Sequence, residues 1–195
     1  MFLQLPTSIS QLPSPISHLS TPYYLYSMSR GFVKEDDQEE VPMVPPRADL
    51  PEGTPNYVTP NGLKELEAEK KELEKELEDL DPSNEKERRI ASNHIHAKME
   101  LLEERIVSAQ LIKPEEQPKD EVRFGAIISL KIGGAKKAGD YQIVGVDEAD
   151  LSKKKMAFTS PIAKLLMGKK VGDKAVLKLA NGDREFLVEG IRYGS

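Results

Sequence analysis

The chain has 195 residues, no cysteine, no tryptophan, only three histidines and a formal net charge of -5. The lack of cysteine excludes a disulfide framework and cysteine-ligated metal sites. No apolar run nears the ~20 residues a membrane span needs, and the N-terminus lacks the early Lys or Arg of a signal peptide while Pro6, Pro13 and Pro15 break its apolar stretch, so the expectation is a cytoplasmic protein.

Residues 1–27 are rich in Ser, Pro, Leu and Tyr and almost free of charge, which reads as unstructured chain. The composition changes at Met28, a candidate natural start. Phe32 and Val33 form a candidate docking anchor, against the plainer reading that they are incidental. Acidic residues crowd 35–40, and Pro42, Pro45, Pro46, Pro51 and Pro55 follow. Residues 1–56 are therefore expected to be a disordered or extended arm.

A helical pair comes next. Thr59 is placed to cap a first helix and Pro60 suits its first position. Leu63, Leu66, Leu73, Leu77 and Leu80 share one stripe, with Lys70 in the remaining core-facing slot, at coiled-coil spacing. Asp81-Pro82-Ser83-Asn84 interrupts the helix. A second helix is expected from about Asn84 or Glu85, with Ile95, Met99, Leu102, Ile106 and Ala109 on its apolar face and Pro114 as its end. Two helices joined by so short a break fold back on each other. The expected organisation is an antiparallel coiled-coil finger over 57–113 and a linker over 114–121.

Residues 122–195 alternate strand-like and turn-like segments. Strands are expected over 122–132 with a bend at Gly125, over 141–146 and over 156–159. Ser160 and Pro161 start a short helix through Met167, and a hairpin pairs 174–179 with 185–191 around Asn181-Gly182. The fold class is α+β: an N-terminal antiparallel helical hairpin followed by a small antiparallel sheet with one short helix. Charge divides in the same way. Residues 62–112 carry nine basic and fourteen acidic side chains, residues 121–195 fourteen basic and nine acidic. An acidic finger repels nucleic-acid phosphate, whereas the basic part suits a nucleic-acid complex or an acidic protein surface. Lys136, Lys137 and Lys153 to Lys155 are its candidate contact residues.

No catalytic constellation is found. His94 and His96 stand two apart and diverge on a helix, and Gly133-Gly134 lacks the spacing of a phosphate loop. The remaining chemistry lies at the bend, where Asp79, Asp81, Glu85 and Glu87 offer oxygen ligands suited to Mg²⁺ held mostly by something else. The competing reading is a solvated hairpin turn.

Val122-Arg123-Phe124-Gly125-Ala126, Ile143-Val144-Gly145 with Glu148, Ser160-Pro161-Ile162-Ala163, Leu165-Leu166, Gly168-Lys169, Val171-Gly172-Asp173, and Ile191 with Tyr193 follow one another in an order and spacing that resemble the bacterial Gre transcript-cleavage factors. Thr59-Pro60 with Gly62-Leu63, and Ser108-Ala109 with Ile112, resemble the two ends of that family's finger. The resemblance spans about residues 57–194. It implies an FKBP-like C-terminal domain resting on RNA polymerase at the mouth of the secondary channel, with Ser160, Pro161, Gly172, Asp173, Lys136 and Lys137 as polymerase-binding candidates. It implies a coiled coil entering the channel, whose tip acids help the polymerase hydrolyse backtracked RNA. Carried onto this chain, the assisting residues are Asp81 and Glu85, with Asp79 and Glu87 as alternatives, and Lys86, Arg88 and Arg89 are candidate RNA or polymerase contacts. The protein would not be an enzyme alone, would act as a monomer on RNA polymerase and the backtracked RNA 3′ end, and would hold no cofactor stably, Mg²⁺ being present only within the polymerase active site.

Asp81-x-x-Asn84-Glu85 departs from that family's Asp-x-x-Glu-Asn tip. The finger is also shorter by about two turns per helix, which retracts the tip by roughly 10 Å. The alternative is a non-cleaving regulator of the secondary channel, a short-fingered relative like the nucleoside-diphosphate-kinase regulators. Two unrelated readings compete. A stand-alone FKBP-like enzyme would need an aromatic pocket drawn from Phe124, Phe158, Phe186, Tyr141 and Tyr193. A dimeric adaptor would need one unbroken helical rod.

Overall fold

The computed structural model describes residues 43–180 and 182–194. The expected unstructured stretch 1–27, the candidate start at Met28 and the Phe32–Val33 anchor lie outside the described residues.

The fold is α+β. A segment without helix or strand, closed by a turn in which Thr54 N–H donates to Pro51 O, leads into a short strand, β1 (Asn56–Val58), and then into a helical pair, α1 (Pro60–Glu78) and α2 (Glu85–Ser108). Thr59 caps α1 as its sequence position predicts: its backbone is extended and its hydroxyl accepts from Gly62 N–H at 2.9 Å, with Pro60 in the first turn. Asn84 caps α2 by accepting from Glu87 N–H at 3.3 Å, and Glu85 and Glu87 place negative charge in the first turn. At 1.5 Å per residue the helices are about 28 and 36 Å long.

The two helices pack through Leu66, Leu73, Ile95 and Leu102, all buried, with Leu63, Leu77, Leu80, Met99 and Ile106 half-buried around them. Lys70, in the remaining slot of the stripe, reaches across to Glu103 (2.8 Å) instead of into the seam. The hairpin thus has its own apolar core, separate from that of the sheet.

The second helix ends at Ser108, short of Pro114. Residues Ala109–Leu111 leave it to form β2, which pairs in parallel with β1 in the register Asn56↔Ala109, Tyr57↔Gln110, Val58↔Leu111. Parallel strands require a crossover connection, and the helical hairpin is that connection. Ile112 N–H extends the pairing by donating to Val58 O (3.0 Å). Asn56 completes the end of α2. Its side-chain amide donates to Arg105 O (2.9 Å), one of the carbonyls left free at a helix end, and to Ser108 Oγ (3.0 Å).

The second sheet has β3 (Ile127–Ile132), β4 (Gly139–Val144), β5 (Lys155–Ala157), β6 (Lys174–Leu177) and β7 (Arg184–Arg192) in the order β5-β4-β3-β7-β6. All pairs are antiparallel except β4–β5. The β3–β7 register slips between Ser129 and Leu130, leaving Glu189 as the extra residue of a bulge on the longest strand. A short helix, α3 (Pro161–Leu166), is capped by Ser160, whose Oγ accepts from Ala163 N–H at 3.2 Å.

Val122, Phe124, Ala126, Ile128 and Leu130 point alternately into the core and are all buried, the period of an extended chain. Only Ile127–Ile132 is laddered in β3, because Gly125 (φ +83°) turns the segment before it. Ile143, Met156, Ala163, Leu166, Phe186 and Val188 close this core. Of the aromatic residues considered for a pocket, Phe124 and Phe158 stack edge to face with centroids 5.6 Å apart, and Tyr57 of β1 lies 5.7 and 5.5 Å from them. These rings are filled core, and Tyr57 carries the base of the hairpin into it.

Candidate functional site

Two places carry polar side chains in a functional arrangement: the turn at the far end of the hairpin and the junction at its base.

The tip is six residues between helices. Residues 81–90 are all exposed, so Asp81, Glu85 and Glu87 face solvent, as does Asp79 at the C-cap of α1. Asp81 Oδ1 accepts from Ser83 N–H at 2.8 Å, a local turn that fixes the bend after Pro82. That hydrogen bond, with one from the Ser83 side chain, holds the Asp81 carboxyl below the usual aspartate range. Protonation would break it, so its contribution to the turn is full above the ordinary aspartate pKa and is lost as pH falls through the lowered one. The four carboxylates sit on a single bend, yet no group of three or more His, Asp or Glu side chains among the described residues is set to hold a metal ion. The tip presents carboxylate oxygens that another molecule could complete.

The other sequence-selected residues have visible structural tasks. Ser160 and Pro161 open α3. Gly172 (φ +91°) and Asp173 make the turn before β6: Asp173 Oδ2 accepts from Lys170 N–H (2.8 Å), and Gly172 N–H donates to Val188 O (2.8 Å). Lys136 and Lys137 are exposed on the β3–β4 connection. Lys153 lies 3.4 Å from Asp150, and Lys154 stands over the Tyr141 ring at 5.7 Å.

The base of the hairpin holds ion pairs and a hydrogen bond that the sequence did not foretell. Thr59 Oγ1 donates to buried Glu148 Oε2 at 2.6 Å. Lys155 Nζ donates to Glu148 Oε1 at 3.1 Å and reaches Glu65 of α1 at 3.5 Å. Burial pulls the Lys155 ammonium down, but the Glu148 hydrogen bond and the charges of Glu148 and Glu65 outweigh it, so its pKa is raised. Beside this, Arg47 from the segment before β1 forks onto Glu69 of α1 (2.8 and 3.0 Å) and donates through Nε to Asp147 Oδ1 (2.8 Å). Asp147 Oδ2 is buried without a hydrogen bond, with Arg105 Nε of α2 at 3.5 Å. Arg105 also donates to Ala48 O. Glu148 stood among the residues of the resemblance, but nothing in the sequence around Arg47 or Asp147 marks them as partners a hundred residues apart.

Residues 117–193 match the family described as "Transcription elongation factor, GreA/GreB, C-term". A transcription elongation factor GreA of Rhodospirillum rubrum is 34% identical over 152 residues, spanning 70% of this chain and 97% of the relative. The chain belongs to the GreA/GreB family. Another GreA, from Acidiphilium cryptum, is 39% identical over 106 residues, 54% of this chain and 68% of that protein. Among solved structures, GreA factor homolog 1 of Thermus thermophilus is 24% identical, with 70% of this chain and 97% of that one covered at a TM-score of 0.33. At that score the likeness carries no argument. Proteins of the GreA/GreB family are accessory factors and not catalysts in their own right. Among the described residues, no helix is long and apolar enough to cross a membrane.

Proposed function

We propose that this protein is a Gre-type transcription elongation factor that binds RNA polymerase at its secondary channel and stimulates the polymerase's own cleavage of backtracked RNA. The observation that carries this reading is an exposed acidic turn at the end of a stiff, separately packed helical hairpin in a chain of this family. In this reading residues 57–113 are a coiled-coil finger, 114–121 a linker and 122–195 an FKBP-like domain seated at the channel mouth, with residues 1–56 as an arm. The protein works as a cytoplasmic monomer. Its partners are RNA polymerase and the RNA 3′ end within the complex. Asp81 and Glu85 are the assisting acids, with Asp79 and Glu87 in reserve. Any Mg²⁺ belongs to the polymerase active site. Lys136 and Lys137 supply charge to the polymerase-facing surface, while Ser160, Pro161, Gly172 and Asp173 shape it.

A second reading, a regulator that occupies the channel without cleavage, is favoured by a specific observation. One Asp81 oxygen is already engaged by the turn, and Glu85 and Glu87 already serve the N-terminus of α2. The deciding experiment uses purified, backtracked elongation complexes. Stimulated cleavage predicts transcripts shortened from the 3′ end, lost with Asp81→Asn/Glu85→Gln while polymerase binding persists. Binding by the wild-type protein without any shortening would establish the second reading instead.

A further inference from the structure

We propose that Arg47 is a positioning residue: a clamp, supplied by the segment before β1, that fixes the angle of the helical hairpin on the sheet domain and so sets where the tip lies. The clamp stands on the geometry alone; its functional consequence rests on the reading of the hairpin as the part that enters the polymerase.

Contacts at different heights join hairpin to sheet domain. The β1–β2 pair with Tyr57 lies at the base, where it acts as a neck. Thr59 on Glu148 sits at the N-cap of α1, and Lys155 on Glu65 five residues into the helix. Arg47 on Glu69 is the highest, nine residues into α1 or about 14 Å along the axis. A restraint resists rocking in proportion to its distance from the pivot, so this contact has the longest arm. The end of α1 lies about 28 Å from the pivot, so a displacement at Glu69 is roughly doubled there.

The chemistry suits a rigid tie. A guanidinium forks onto a carboxylate with two parallel hydrogen bonds and can hold a third acceptor through Nε, which an ammonium on a flexible stem cannot do. Here the fork grips the hairpin and Nε grips Asp147 of the sheet domain, with the side chain only 18% exposed. Arg105 brings α2 to the other side of the same carboxylate and ties back to the backbone of Ala48. One half-buried acid of the sheet domain thus meets α2 through Arg105, and Arg47 makes its connection to α1.

The chain has no cysteine, so a label pair can be introduced cleanly at Lys86→Cys, exposed at the tip, and Lys178→Cys, exposed beyond β6. Pulsed electron paramagnetic resonance on the full chain should give one narrow distance. Arg47→Ala and Glu69→Gln should each shift and broaden it while the amide spectrum of β3 and β7 stays in place; Lys71→Ala, an exposed change on α1, should leave it alone. Arg47→Lys retains the charge but not the fork, and should broaden it as well. An unchanged narrow distance in Arg47→Ala, or full restoration by Arg47→Lys, would overturn the clamp. In elongation complexes Arg47→Ala should weaken the response while Asp81 and Glu85 are intact. A loosened hairpin with a wild-type response would overturn its positioning role. A wild-type protein with no effect on polymerase would instead sink the functional reading and leave the distance result standing.

Discussion

At the residue scale, two glycines show how closely the hairpin base meets the sheet domain. A Cβ on Gly145 would stand 2.6 Å from the Tyr57 carbonyl oxygen, and one on Gly62 would stand 2.6 Å from Glu148 Oε2. Tyr57 O belongs to a paired backbone and cannot turn aside, whereas Glu148 can move at the cost of its bonds to Thr59 and Lys155. Gly145→Ala should therefore destabilise the protein by about 1–3 kcal/mol, the range for overpacking a filled site, measured by urea unfolding. It should also weaken protection of the Tyr57 and Ile112 amides in hydrogen exchange. Unchanged protection would mean that the strands do not meet the sheet domain as described. Glu148 shows the same economy of space. One buried carboxylate accepts the Thr59 hydroxyl, which in turn accepts the Gly62 N–H, so the cap of α1 and the seat of the hairpin are one hydrogen-bonded chain.

Among the elements, the helical pair is held by few side chains. Leu102 is fully buried in the seam, while Ile90, near the tip, is 47% exposed. Leu102→Ala should cost about 2–5 kcal/mol, the range for emptying a core site, and Ile90→Ala should lie near zero; thermal unfolding followed by helical circular dichroism tests the contrast. Equal effects would contradict the buried seam. Much of this element was legible in the sequence. Thr59-Pro60 and Ser160-Pro161 announced two helix starts by chemistry confined to four residues each, and the leucine spacing identified the seam. What was not legible is β1 and β2. Each is three residues long, too short for a period to register, and their partnership joins positions 53 apart. Pro114 was a reasonable terminator for α2, but the chain left the helix at Ala109, where pairing with β1 offers its backbone other partners.

For the molecule as a whole, the two apolar clusters of the described residues share no buried residue, one lying in the hairpin and one in the sheet domain. Replacing residues 63–107 by a short Gly-Ser linker should leave the sheet domain folded, with its own cooperative transition, and abolish any effect on polymerase. A chain that fails to show the β3–β7 amide pattern would mean that the hairpin is needed to complete the core. The candidate site divides in legibility along the same line. The tip acids follow from local sequence, because a bend rich in Asp and Glu is visible wherever it is placed. The Arg47–Asp147–Arg105 junction was hidden, since each member looks like an ordinary surface charge until the fold brings both arginines to within 3.5 Å of Asp147.

The hairpin is a crossover between two parallel strands whose register is set at the base alone. Its length is therefore free to vary while its facing is not. Seven residues added to both helices would carry the acidic turn outward by about 10 Å and return it almost to its original bearing. One residue added to either helix would swing everything beyond it through about 100°. Reach and aim are thus separately adjustable only in steps of two turns, and a lineage that changes how far this arm extends must do so in paired heptads or face its carboxylates elsewhere.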